Sequence, residues 1–193
     1  MNEQKTRQRR KAYDMRNKQI NKDAVSRIIC SKVISHPAYR QARTAMWYIG
    51  CRSEVRTQPA LLRELESGKC IVIPYCTKDE RGNNQLGLWR LEDFAELVPG
   101  MWGILEPPRQ RWGELGKEVA AEQLDCVIVP GVAFDRNGGR LGNGAGYYDR
   151  LLGSVRSDAV LIGVCFESQT VEQVVMEPHD ALMDIVITEK AIY

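Results

Sequence analysis

The sequence predicts an α/β fold, three layers α/β/α around a mainly parallel or mixed central sheet, in one domain spanning 1–193. Three observations carry this. Short apolar runs such as 125–129, apolar after its leading Asp125, and 160–164 read as strands buried on both faces. Segments with helical spacing alternate with them. No repeat or linker divides the 193 residues.

Residues 4–17 are charged and free of Gly and Pro, as an exposed helix would be. Asn21 is placed to cap a second helix, along which Ala24, Val25, Ile28, Ile29 and Val33 recur at helical spacing and which Pro37 ends. Residues 44–49 read as a buried strand. Thr57 is the expected N-cap of the next helix, with Pro59 in its first turn, Leu61, Leu62 and Leu65 as its apolar stripe and Gly68 as its stop. Strands follow at 70–74 and, half exposed, at 85–91. Residues 99–113, rich in Pro, Gly and Trp, form a long loop of the kind that often carries function. A strand at 125–129, a helix at about 146–153 and strands at 160–164 and 185–188 complete the chain.

Composition narrows the class. Apolar residues make up 44% and charged residues 27%, as in a water-soluble globular protein. No run reaches the roughly 20 apolar residues of a membrane span. The charged start has no apolar leader, so neither a signal peptide nor a membrane partner is expected. Six scattered cysteines without CxxC spacing read as free thiols in a reducing cytoplasm. Two histidines cannot build a histidine-rich metal site. The net charge of +2 hides an uneven distribution. Residues 1–43 carry twelve Lys/Arg against three Asp/Glu, and the remainder is acidic. A basic helical segment over 1–36, packed on an acidic body, points to an anionic partner, although a solvated helix face is the plainer reading.

The most informative stretch is Gly138 to Arg150, GGRLGNGAGYYDR. Gly142, Gly144 and Gly146 alternate with Asn143 and Ala145. Tyr147 stands where a dinucleotide fingerprint needs its last glycine, and neither Gly68-Lys69 nor Gly116-Lys117 continues as a Walker motif. The underlying physics remains. Glycines let backbone N–H groups converge on an anion, Arg140 adds a charge, and Asp149 is a carboxylate placed for a Mg²⁺ ion beside phosphate. Tyr147 and Tyr148 could stack on a ligand or hydrogen-bond to it. A tight structural turn is the competing reading.

Pro130-Gly131-Val132-Ala133-Phe134-Asp135, then Gly139-Arg140-Leu141-Gly142, Gly144 and Gly146-Tyr147-Tyr148-Asp149-Arg150, resemble the signature of the 5-formyltetrahydrofolate cyclo-ligase (methenyltetrahydrofolate synthetase) family. The resemblance extends to Lys5 and Arg9, to Ser53-Glu54-Val55-Arg56-Thr57, to Trp102-Gly103-Ile104-Leu105-Glu106-Pro107, to Pro178-His179-Asp180 and to 184–189. Arg56 departs from the family's Asp, and Arg10 competes with Arg9 for the N-terminal position.

The resemblance implies ATP- and Mg²⁺-dependent cyclisation of 5-formyltetrahydrofolate to 5,10-methenyltetrahydrofolate through a phosphorylated formyl group. It implies ATP binding by Lys5, Arg9, Arg140, Leu141, Gly142, Asn143, Gly144, Ala145, Gly146, Tyr147 and Tyr148. Folate is expected at Glu54, Leu86, Trp102 and Tyr148, catalysis at Arg140, Glu54 and Tyr148, and Mg²⁺ at Asp149 and Asp184. Leu88 is a further candidate for the folate pocket, and His179 is expected to be structural. The expected partners are the reduced folate and ATP, with no nucleic acid, and the expected state is a monomer. Phosphoryl transfer to another acceptor, nucleic-acid binding through the basic arm and folate binding without turnover are the alternatives.

Overall fold

The structure, a computed structural model, describes residues 3–178 and 180–193; Met1, Asn2 and His179, whose expected role is structural, lie outside the described residues. Helices α1 (Glu3–Lys18), α2 (Lys22–Ser35) and α3 (Pro37–Gln41) lead into strand β1 (Thr44–Met46). Helix α4 (Gln58–Glu64) and the hairpin β2 (Cys70–Lys78) and β3 (Asn84–Arg90) follow, then a small ribbon of β4 (Val98–Pro99) and β5 (Leu105–Glu106). Strand β6 (Cys126–Pro130), the hairpin β7 (Ala133–Phe134) and β8 (Arg140–Leu141), helix α5 (Tyr147–Leu152) and strands β9 (Val160–Val164) and β10 (Ile185–Ile187) complete it.

The six-stranded sheet runs β10-β9-β6-β1-β2-β3. All pairs are parallel except β2 with β3. Its strands are buried on both faces, and their period of two divides the core. Ala45, Ile71, Ile73, Ile128 and Ile162 join one cluster with Ile29, Val33 and Leu61 from α2 and α4. Met46, Val72, Val127, Val129 and Leu161 join the other with Leu151 and Leu152 of α5. The expected central sheet flanked by helices is therefore present. A third cluster, Val132, Ala133, Leu141 and Val174, seats Ala12 of α1. No helix of the described residues is long and apolar enough to cross a membrane.

Several local expectations need correction. Asn21 adopts left-handed backbone and makes no cap hydrogen bond. Thr57 does not cap α4, because its hydroxyl donates to Tyr48 O at 2.5 Å and accepts from Gly50 N at 3.0 Å. That bridge also draws the chain out of the sheet, so β1 stops at Met46 although the apolar run continues to Ile49. Pro37 both ends α2 and opens α3, with His36 Nδ1 accepting from Ala38 N. The strand at 70–74 extends to Lys78 because Asp79, accepting from Arg81 N and Asn83 N, closes the hairpin to β3.

The β7–β8 hairpin presents Arg140 and the glycine loop, and one buried carboxylate holds it. Asp135 accepts from Asn137 N at 2.9 Å, Gly139 N at 2.8 Å and Val174 N at 2.8 Å. At Gly138, with φ of 87°, a Cβ would lie 2.2 Å from Met183 O, so this corner accepts only glycine. Replacing Asp135 by Ala leaves the buried amides of Gly139 and Val174, and the more exposed one of Asn137, without their acceptor, each buried one costing about 1–3 kcal/mol. The expected outcome is a loss of about 3 kcal/mol or more, measured as a lower urea midpoint at unchanged m value.

Candidate active site

The connections after β1 and β6 depart to opposite faces of the sheet, since α4 belongs to one core cluster and α5 to the other. Neighbouring strands that diverge in this way leave a crevice beyond their carboxyl ends. A cavity of ≈ 460 Å³ lies there, bordered by Tyr48 and Ile49 beyond β1 and by Pro130 and Gly131 at the end of β6. That volume suits a small organic ligand.

One wall is the glycine loop. Two of its carbonyls are held by side chains. Gly142 O accepts from Arg9 Nε at 2.9 Å, and Ala145 O from Asn84 Nδ2 at 3.2 Å and Arg150 Nη2 at 3.4 Å. Tyr13 donates to the Asn143 side chain. Among the described residues no amide from 142 to 146 donates to a protein acceptor. Gly144 and Gly146 take φ of 87° and 72°, the left-handed region in which successive N–H groups gather around an anion. Carbonyls tied down and amides left open make a receptor for negative charge.

Arg140 lies against this wall, only 5% exposed. It donates through Nη1 to Pro130 O at 3.3 Å and through Nη2 to Asp149. Its Nε is buried without a hydrogen-bond partner among the described residues. The guanidinium carbon lies 5.6 Å from the Tyr148 ring centroid. Enclosure, and then the charge of Glu54, push the Tyr148 phenol well above its ordinary range, so at neutral pH it is an O–H donor and not a base.

The opposite walls hold Glu54, Leu86, Trp102 and Glu106. Both oxygens of Glu54 are engaged, Oε1 by Arg16 Nη1 at 3.7 Å and Oε2 by Cys51 N at 3.1 Å. Arg16, only 4% exposed, also donates to Ser53 Oγ at 3.0 Å and Gly131 O at 3.4 Å. A permanently charged guanidinium buried to this degree needs such partners. Burial, and then Glu54, push the neighbouring Cys51 thiol up to about 11, so it is neutral at pH 7. Trp102 is 60% exposed, meets Tyr147 edge to face at 6.5 Å, and has φ of 58°. Arg52, with φ of 52°, lines the same cavity. Two non-glycine residues in this disfavoured region at one cavity mark a functional surface.

The expected site residues are thus largely brought together. Glu54, Leu86, Trp102, Arg140 and every residue from 142 to 149 line one cavity. Four do not line it. Leu141 is buried in the cluster beneath α1, and its carbonyl accepts from Val132 N. Arg9 braces the loop from behind, and Arg10 is exposed. Lys5 is buried on Asp180 at 2.6 Å and Glu177 at 3.3 Å, so its charge is already engaged. Asp184 precedes β10 at the amino end of the sheet, where its carboxylate accepts from Leu161 N at 2.7 Å. It cannot share an ion with Asp149 at the carboxyl end. Leu88 belongs to the core, and Arg56 pairs with Asp23 outside the cavity.

Sequence reading overlooked Arg16, Tyr13 and Glu106. The signal for Arg16 was present: Lys5, Arg9, Ala12 and Arg16 recur at helical spacing and share one face. Glu106 stood inside a quoted motif without a role.

Comparison with known proteins agrees with this geometry. The profile of the 5-formyltetrahydrofolate cyclo-ligase family matches residues 2–189. A 5-formyltetrahydrofolate cyclo-ligase of Mycolicibacterium smegmatis is 34% identical over 148 residues, covering 77% of this chain and 74% of its own. A probable 5-formyltetrahydrofolate cyclo-ligase of Schizosaccharomyces pombe is 29% identical over 185 residues, covering 88% and 86%. The solution structure of Aquifex aeolicus 5,10-methenyltetrahydrofolate synthetase superposes with a TM-score of 0.80 at 31% identity, covering 97% of this chain and 91% of that one. With a family profile spanning nearly its whole length, this chain belongs to the 5-formyltetrahydrofolate cyclo-ligase family and is an enzyme of the ligase class.

Proposed function

We propose that the chain closes 5-formyltetrahydrofolate to 5,10-methenyltetrahydrofolate, converting ATP to ADP and phosphate. The observation that carries the ATP half is the loop 142–146, whose open amides lie beside the buried Arg140. A γ-phosphate bound there is cradled by N–H groups, and Arg140 counters its charge. Arg9 keeps the loop in this shape by holding Gly142 O.

The chemistry needs few protein groups. The formyl oxygen attacks the γ-phosphorus, and the bond to ADP breaks. The resulting iminium phosphate is electrophilic at carbon. N10 attacks that carbon, its proton leaves, and the C–O bond to phosphate breaks as the ring closes. Alignment dominates such a reaction. Glu54, fixed at both oxygens, is the base for the N10 proton. Tyr148 stays protonated and donates a hydrogen bond, and Trp102 and Leu86 wall the folate.

Among the described residues no group of three or more His, Cys, Asp or Glu forms a metal cage. The donor set at the cavity instead fits Mg²⁺ carried on the phosphates, with Asp149 as its protein carboxylate. When bound, the ion neutralises phosphate charge. Six free cysteines fit a reducing cytoplasm, and we take the protein to act as a monomer.

The first test follows the near-ultraviolet methenyl absorbance with 5-formyltetrahydrofolate and Mg²⁺, with and without ATP. The expected outcome is a rise only with ATP, slowed about 10²–10³-fold in Arg140→Ala. An ATP-independent rise, or none from folded protein, would overturn the reading. A second test is Gly144→Ala. It forces an L side chain to φ near 87° and sets a Cβ 3.3 Å from the Arg9 guanidinium. A strain of about 1–2 kcal/mol should weaken ATP about five- to thirty-fold and leave the folate KM unchanged.

A further inference from the structure

Besides Asp149, which pairs with Arg140, the cavity holds two carboxylates in opposite electrostatic situations. Glu54 is engaged at both oxygens. Glu106, at the end of β5, is only 6% exposed, yet among the described residues its carboxylate has neither a hydrogen bond nor an ion pair. It is not stranded in apolar packing, because it lines the cavity and no oxygen of it is both sealed from solvent and unpartnered. It is also held in place. A Cβ at Gly100 would fall 1.9 Å from Glu106 Cδ, so the side chain lies flat against glycine backbone across the β4–β5 ribbon. Its oxygens face the cavity with no protein donor on them, so a ligand's N–H groups can reach them.

We propose that Glu106 is a substrate-binding residue that receives the paired N–H donors of the pterin, its 2-amino group and N3–H. This rests on the folate reading above and assigns the orientation within it. A planar carboxylate matches two parallel donors on a planar ring edge, and such paired, charge-assisted hydrogen bonds are strong and directional. The two acids divide the work. Glu106 grips the far edge of the ring system, and Glu54 is left for N10. The glycine loop cannot take this edge, because its open groups are donors as well.

The experiment compares 5-formyltetrahydrofolate with its 2-desamino-2-methyl analogue, which lacks the 2-amino donors. Wild type, Glu106→Leu and Glu106→Gln are each checked for folding by thermal melting. Wild type should discriminate against the analogue about 10- to 100-fold in kcat/KM. Glu106→Leu should raise the folate KM by a similar factor, leave the ATP KM within about twofold and abolish discrimination. Glu106→Gln, with one acceptor left, should fall between, and it serves as the test if the leucine variant does not fold. Discrimination kept at the wild-type level in either folded variant would overturn the proposal while the cyclo-ligase reading stands. Equal losses for ATP and folate would also overturn it, as the mark of a structural role. A wild type that turns over neither compound would overturn both.

Discussion

The site depends on one buried cation. Arg140 reaches Pro130 O at the end of β6 and, on α5, Asp149 and the face of Tyr148, joining a strand to a helix. A guanidinium cannot shed its charge, so its burial commits the surroundings to acceptors and anions. Asp149 meets that demand on one side, and among the described residues nothing meets it at Nε. Everything that shapes the glycine loop, from the Asp135 corner to Arg9 behind Gly142, keeps amides near this charge. Stability and ligand affinity are therefore bound to the same few atoms.

The sheet explains why the cavity is where it is. Diverging connections beyond β1 and β6 open a crevice that neither α4 nor α5 covers. The β4–β5 ribbon and the first helix close its sides. Donor groups crowd the wall built from β8 and α5, and Glu54 and Glu106 stand on the walls opposite. That polarity suits a substrate with phosphate at one end of the reacting assembly and a donor-rich heterocycle at the other.

Much of this was legible in the sequence, and the failures have physical causes. The buried strands announced themselves because residues covered on both faces must be apolar throughout. The glycine loop was legible because positive φ leaves a mark on composition. Thr57 looked like a cap, but a buried hydroxyl found better partners in Tyr48 and Gly50. Asp184 looked like a metal ligand because linear motifs do not say at which end of a sheet a residue stands. Lys5 looked free for phosphate until Asp180, 175 residues away, claimed it. Arg16 and Glu106 were missed for the same reason. Their meaning lies in what crosses from other segments, or in what fails to cross.

Two guanidiniums of helix α1 meet the cavity wall, Arg9 behind the glycine loop and Arg16 beside Glu54. The seven-residue step from one to the other spans about 10 Å along the helix and nearly two full turns. This makes the helix a ruler with two marks, and its consequence is evolutionary. Exchanges at the outward positions Arg10, Lys11, Asp14 and Met15 leave the marks in place. A single insertion or deletion among them rotates Arg16 by about 100° away from Glu54. At these outward positions drift in identity is open to the lineage, and across the interval drift in length is closed.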